Sequence, residues 1–230
     1  MSRPTLPSRL PSALRRPAFW AWLCLASVPP ELISQARGLE LVDPAYAALL
    51  LVWWPVDTLG RLGALRALLG PSTSSGQVRL RQPWAALPSA LAAEILLGLR
   101  SGIWALLGLI PGIALFSYLG LETGPRRAAV IVLLLAGLLP SAYYALQRSL
   151  APRQLLEAPL GASEALDASA QQLKGRLRSF LLMAAPLIVA SWAVDGLGML
   201  LPWGLALALG PVSLALELLP LALVGPPSET

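Results

Sequence analysis

The sequence predicts an all-α integral membrane bundle of about six transmembrane helices, and three observations support this fold class. Of the 230 residues, 56% are hydrophobic and only 13% are charged, whereas soluble domains carry about 25% charged residues. The apolar residues cluster in runs long enough to cross a bilayer, and no polar stretch is long enough to bury a core of its own. The basic residues are distributed unequally between the segments that separate these runs.

Six apolar runs are candidate spans, because about 20 apolar residues cross the hydrocarbon core of a membrane. The first two runs are the weakest candidates, because each is short and is interrupted by prolines and an acid. The predicted spans are about 17–36, 44–61, 101–120, 127–147, 179–197 and 200–223. They form one transmembrane domain over residues 17–224, with a basic tail at 1–16 and a short tail at 225–230.

The positive charges predict the orientation of the bundle. With the N-terminus in the cytoplasm, the inner segments hold 14 of the 17 Lys and Arg residues and the outer segments hold 3, as the positive-inside rule requires. An even number of spans, with both termini inside, gives this asymmetry. The net charge of +5 then faces anionic lipid of the inner leaflet, and no nucleic-acid partner is expected.

The residue usage predicts where the protein occurs. Sixteen Arg against one Lys, with abundant Leu, Ala and Pro, indicates a GC-rich bacterial genome. Together with the predicted spans, this usage predicts a multi-pass protein of the bacterial inner membrane.

Two inner segments are predicted to form helices at the membrane interface. A helix over 88–120 would be about 50 Å long at 1.5 Å per residue, which exceeds the bilayer, so its first part is expected at the interface with a bend near Gly98 or Gly102. An apolar stripe at helical spacing in 161–180 predicts an amphipathic helix that lies in the interface and leads into the fifth span. The alternative is a helix packed on the bundle.

The third predicted span carries two helix breakers side by side, Pro111 and Gly112, in the apolar stretch LLGLIPGIALF. In a membrane, both residues are tolerated where neighbouring helices cover the freed backbone groups. The pair therefore predicts a kink or a close helix contact at the centre of the bundle.

This motif and the later segment EALDASAQQLKGRLRSFLLM resemble a group of bacterial six-span membrane proteins. The group includes a domain of unknown function and the membrane domain fused to some glycerophosphodiester phosphodiesterases. The resemblance covers about residues 90–200, and the matching positions are Ile110, Pro111, Gly112, Ile113, Ala165, Ser169, Lys174 and Gly175. It implies the fold and the membrane location; the phosphodiesterase activity is not implied, because the sequence has no such catalytic domain.

Acidic residues inside the spans are the first candidates for a functional site, because a charge is costly in hydrocarbon. Asp57 stands four residues before Arg61, so an ion pair at the inner interface is the alternative to a functional role. Asp195 precedes a glycine at a predicted span end, which is typical of a turn or cap. Glu31 follows two prolines and marks either a half-helix site, as in transporters, or a helix end among the headgroups.

Glu217 is the sharpest of these candidates, because no basic residue lies within four positions of it. It must be protonated, paired across the bundle, or facing water. Glu217, Glu31 and Asp57, together with the Pro111–Gly112 pair, are the residues expected around an intramembrane cavity. The eight tryptophans lie mostly near predicted span ends, which favours an aromatic belt over a ligand cage.

The sequence does not predict an enzyme or a cofactor. It has no histidine and a single cysteine, Cys24, in an apolar run, which disfavours histidine-based catalysis and zinc or haem sites. The leading hypothesis is a structural or accessory component of a membrane complex, with a membrane-protein partner or a second copy of the chain. The alternative is a small transporter or permease subunit with a carboxylate-lined cavity. An enzyme that acts on lipid through carboxylates or arginines comes third.

Overall fold

The protein is helical throughout the residues that a computed structural model describes, which are 14–27, 44–70, 80–119, 124–200 and 203–224. No β-strand occurs in these ranges, and the predicted all-α class is confirmed. The helices are α1 (Pro17–Ser27), α2 (Pro44–Leu69), α3 (Pro83–Leu119), α4 (Gly124–Gln147), α5 (Ala151–Glu157), α6 (Ala162–Leu173), α7 (Leu177–Leu200) and α8 (Trp203–Leu223).

Four stretches of helix in the described residues are long and apolar enough to cross a membrane. They are Pro44–Leu69, Pro83–Ala114, Val130–Glu157 and Leu177–Leu197. Two shorter apolar helices, Pro17–Ser27 and Ala208–Leu223, fall on the first and sixth predicted spans. The membrane character is supported, and the count of six spans stays a prediction.

Large apolar side chains cover the outer faces of α3, α4 and α7. Leu106, Leu139 and Leu182 are 66%, 66% and 71% exposed. Contiguous apolar surface of this kind is rare on a soluble monomer, because its exposure to water costs about 25 cal/mol per Å². Hydrocarbon is the environment that suits these faces.

The buried core lies at one end of the bundle. It joins α1 along its length, the first turns of α3, the last turns of α2, the second half of α8, and the short helices α5 and α6. Phe19, Leu65, Leu155 and Leu166 are fully buried in it. Apart from α1, these are the helix ends that the distribution of positive charge assigns to the cytoplasm, so most of the segments predicted to lie inside come together in one cluster.

Two predicted interfacial segments are packed more deeply than expected. Helix α3 begins at Pro83 and continues through Gly98 and Gly102 to Leu119, and its first turns lie in the core. Helix α6 buries its apolar stripe against α3 and α5. It therefore packs on the bundle, and its position in the membrane interface stays a prediction.

The two glycines of the stretch GLIPG lie at the contact between α3 and α4. A Cβ atom at Gly108 would overlap the carbonyl oxygen of Gly137 on α4, and a Cβ atom at Gly112 would lie 2.5 Å from Cδ2 of Leu134. Small residues at such spacing let two membrane helices approach closely. Helix α3 stays helical through Pro111, so the predicted close helix contact is the role that these contacts support.

Candidate functional site

The polar centre of the bundle is an ion cluster formed by α2 and α8. Arg61 Nε donates to both carboxylate oxygens of Asp57, at 3.0 Å each, as the spacing of four residues on one helix predicts. Arg61 Nη1 also lies 3.4 Å from Oε2 of Glu217. Of the three states expected for Glu217, the structure favours pairing across the bundle.

Two buried serines connect the cluster to α7. The Oγ atoms of Ser191 on α7 and Ser213 on α8 are 2.8 Å apart, and Ser191 Oγ lies 3.3 Å from Oε1 of Glu217. Each oxygen of the Glu217 carboxylate therefore has a partner on a different helix. Hydroxyl groups with this arrangement satisfy their hydrogen bonds inside an apolar bundle.

A cavity of about 800 Å³ adjoins this cluster and is bordered by α1, α2, α7 and α8. We call it the α2–α8 cavity. Its wall is mostly apolar, and its polar and aromatic lining residues are Ser27, Trp53, Trp54, Asp57, Arg61, Asp195, Ser213 and Glu217. Three of the four acids singled out in the sequence thus line one cavity.

Asp195 differs from its predicted role as a turn or cap residue. Helix α7 continues for five residues beyond it, to Leu200. The side chain is exposed and borders the α2–α8 cavity. A carboxylate inside a predicted span is retained where it faces water or a partner, so the cavity is the feature that could accommodate this charge.

The other candidates of the sequence lie elsewhere. Pro111 and Gly112 are on α3, which contributes no residue to the α2–α8 cavity. Pro111 is exposed, and Gly112 packs on α4. Glu31 lies outside the described residues. The structure therefore joins Glu217 to Asp57 and separates both from the Pro111–Gly112 pair.

The remaining residues of the resemblance have structural surroundings. Ser169 is buried, accepts a hydrogen bond from the Leu150 amide at 3.0 Å and donates to the Gln147 carbonyl at 3.0 Å. Lys174 ends α6, and Gly175 has a φ of +77° in the turn that leads to α7, a conformation that favours glycine. Ala165 is a buried residue of α6, whereas Ile110 and Ile113 are exposed on α3.

Glu94 is a polar site residue that the sequence did not single out. Trp54 Nε1 donates to Glu94 Oε2 at 2.5 Å, and Thr58 Oγ1 lies 3.1 Å from the same oxygen. These bonds tie α3 to the wall of the α2–α8 cavity through Trp54. The signal was an acid in the apolar run ALAAEILLGL, which begins before the predicted third span.

Arg153 forms a second polar centre that the sequence did not single out. Its side chain is 7% exposed and pairs with Glu157 at 2.6 Å. Its Nη1 atom donates to the carbonyl of Leu221 at 3.2 Å and to that of Val224. Because the last carbonyls of a helix have no partner within it, Arg153 caps the C-terminus of α8 and holds it to α5.

Within the described residues, no three His, Cys, Asp or Glu side chains are placed to hold one metal ion. Comparisons with known protein families, with curated proteins and with solved structures give no match to this chain. The resemblance over about residues 90–200 stays an expectation, and function has to be argued from the site itself.

Proposed function

We propose that this chain is a small transporter or permease subunit of a bacterial inner membrane, and that it binds its solute in the α2–α8 cavity. The main support for this proposal is that charged residues of α2, α7 and α8 border a cavity of about 800 Å³ among apolar helices. Ligand cavities in proteins are typically about 300–1,000 Å³. Charged groups inside membrane spans face the bundle interior or a water-filled cavity, often pair with one another, and commonly mark the path of a solute or ion.

The cavity is closed at one end by the hydrophobic core. Leu62 and Leu65 follow Arg61 along α2, Leu218 follows Glu217 along α8, and all three are buried in that core. On α2, the lining residues from Ala47 to Asp57 lie towards the opposite end of the helix, and Ala26 and Leu214 belong to both the core and the lining. In the orientation predicted from the positive charges, a solute enters from the outer face and stops at the ion cluster.

The ion cluster is suited to exchange partners with a solute. Arg61 is shared between Asp57 and Glu217, with the shorter bonds going to Asp57. A solute that draws Glu217 away leaves the guanidinium paired with Asp57, so no charge is stranded in a low-dielectric site. This arrangement favours a binding role for Glu217 over a purely structural one.

An accessory role in a membrane complex is the second candidate. Its support is the exposed apolar surface of α3, α4 and α7, which a partner helix would cover. Lipid covers such a surface equally well, whereas lipid does not account for a cavity lined by charges. The transport proposal is therefore preferred.

Water access to the cavity tests the proposal. In a Cys24→Ser background, the Ser27→Cys variant places a single thiol at the cavity lining. We expect this thiol to react with a small membrane-impermeant methanethiosulfonate reagent added from the outer face of sealed vesicles. The wild-type protein is the matched control, because Cys24 lies one turn away on the same helix, is exposed and does not line the cavity.

We expect the thiol at position 27 to be labelled at least about tenfold faster than Cys24, because a thiol surrounded by hydrocarbon does not form the reactive thiolate. Equal and slow labelling of both thiols would show that the cavity is dry and would overturn the proposal.

A further inference from the structure

The α2–α8 cavity carries an excess of negative charge. Three carboxylates (Asp57, Asp195 and Glu217) and one guanidinium (Arg61) are its titratable lining residues among the described positions. Their formal sum is an excess of two negative charges. Inside a membrane protein, such an excess favours the binding of a cation, because unlike charges attract strongly where the dielectric constant is low.

The hydrogen-bond donors of the lining are largely used within the protein. Arg61 directs Nε to Asp57 and Nη1 to Glu217. The indole N–H of Trp53 donates to the Ala26 carbonyl, and the indole N–H of Trp54 donates to the carboxylate of Glu94. Each ionised carboxylate offers about four acceptor positions, so acceptors exceed donors in the cavity. A ligand that brings donors or positive charge matches this surplus.

Trp53 and Trp54 give the cavity aromatic surface. With their N–H groups bonded to the protein, the two indoles contribute their apolar rings to the lining. The face of an indole attracts cations, and this attraction strengthens when water is excluded. These two tryptophans therefore depart from the aromatic belt that the sequence predicts for most of the eight.

We propose that the α2–α8 cavity binds a monovalent organic cation. Its positive group lies against the carboxylates of Asp195 and Glu217, and its apolar part lies against Trp53 and Trp54. This inference rests on the proposed function and adds the class of solute. The volume of about 800 Å³ and the mostly apolar wall favour a bulky cation over a small inorganic ion.

A pair of probes with the same shape and opposite charge tests this inference. Tetraphenylphosphonium and tetraphenylborate differ mainly in the sign of their charge. Each is titrated against the purified full chain in lipid nanodiscs, and protein-free nanodiscs provide the blank for partition into lipid. We expect saturable binding of tetraphenylphosphonium in excess of the blank, and no saturable binding of tetraphenylborate.

Two single-charge variants locate the binding. Asp195→Asn removes one carboxylate from the lining, and we expect about tenfold weaker binding of tetraphenylphosphonium, as the loss of a nearby charge in a partly screened site predicts. Asp167→Asn is the matched control, since Asp167 is exposed on α6, outside the lining. Its affinity should equal that of the wild type.

The outcomes separate the inference from the proposed function. If the Ser27→Cys thiol reacts but tetraphenylphosphonium shows no saturable binding, the cation inference is wrong and the proposed solute cavity is retained. Unreactive Ser27→Cys removes the proposed function itself. Saturable tetraphenylborate binding, or an equal effect of Asp195→Asn and Asp167→Asn, also overturns the cation inference.

Discussion

Glu94 holds two donors of α2 at once, the indole N–H of Trp54 and the hydroxyl of Thr58. The Thr58 hydroxyl also has the Trp54 carbonyl at 3.0 Å, so the Trp54 indole is the donor that depends on Glu94, and a buried donor without a partner costs about 1–3 kcal/mol. The carboxylate thus fixes one wall of the α2–α8 cavity against α3. Its role is to position Trp54, because Glu94 itself does not line the cavity.

Two substitutions of Glu94 distinguish the contribution of its hydrogen bonds to stability from that of its negative charge. Glu94→Gln keeps an acceptor oxygen, so we expect a free energy of unfolding within about 1 kcal/mol of the wild type. Glu94→Leu removes the acceptor of the Trp54 indole N–H, whereas Thr58 keeps the Trp54 carbonyl, and we expect it to lower the free energy of unfolding by about 2 kcal/mol. Unfolding by sodium dodecyl sulfate in mixed micelles, followed by tryptophan fluorescence, measures both. Equal loss in the two variants would contradict the hydrogen-bond assignment.

Sequence reasoning reached some of these contacts for a clear physical reason. The Asp57–Arg61 pair follows from helical periodicity, which places residues four apart on one face. The contact of Arg61 with Glu217 joins residues 156 positions apart, and it depends on how two helices pack. Glu94 was missed because it lies before residue 101, where the predicted third span begins.

At the scale of helices, α3 and α4 meet through glycine. A Cβ atom at Gly137 would overlap the backbone of Gly108, whereas a Cβ atom at Gly98 would have no heavy atom within 4 Å. The same residue type therefore has opposite roles along one helix pair. At Gly108 and Gly137 the missing side chain permits the contact, and at Gly98 it adds only backbone freedom.

Alanine at these two positions should act in opposite directions. Gly137→Ala forces α3 and α4 apart, and we expect the free energy of unfolding to fall by about 1–3 kcal/mol. Gly98→Ala meets open space and should raise it by about 1 kcal/mol, because alanine is the better helix former. Thermal unfolding of both variants in one detergent provides the comparison. A loss for Gly98→Ala as large as that for Gly137→Ala would contradict the close contact.

Helix boundaries show where sequence reasoning stops at this scale. The hydropathy of α2 falls after Arg61, so its predicted span ended there, yet the helix continues to Leu69. Its last turns are buried by α1, α5 and α8 rather than by lipid. Helix α3 extends to Pro83 for the same reason. Hydropathy identifies the part of a helix that contacts lipid, and it does not identify the part that is covered by protein.

At the scale of the whole molecule, charge distribution and packing agree. The segments that carry most of the Lys and Arg residues are also those that build the hydrophobic core. The bundle is therefore well packed at the end predicted to be cytoplasmic and open around the α2–α8 cavity. The sequence predicted the class and the clustering of charge, but the cavity depends on contacts between α1, α2, α7 and α8 that no local pattern encodes.

The central claim is that Glu217 serves the cavity while Arg61 holds the bundle together. Its most direct test compares the free energies of unfolding of Glu217→Gln and Arg61→Gln. Loss of Glu217 leaves Arg61 paired with Asp57, so we expect a change of about 1 kcal/mol or less. Loss of Arg61 leaves two carboxylates without their cation, and we expect a fall of about 3 kcal/mol. Equal destabilisation by the two variants would make Glu217 a structural residue and would contradict the claim.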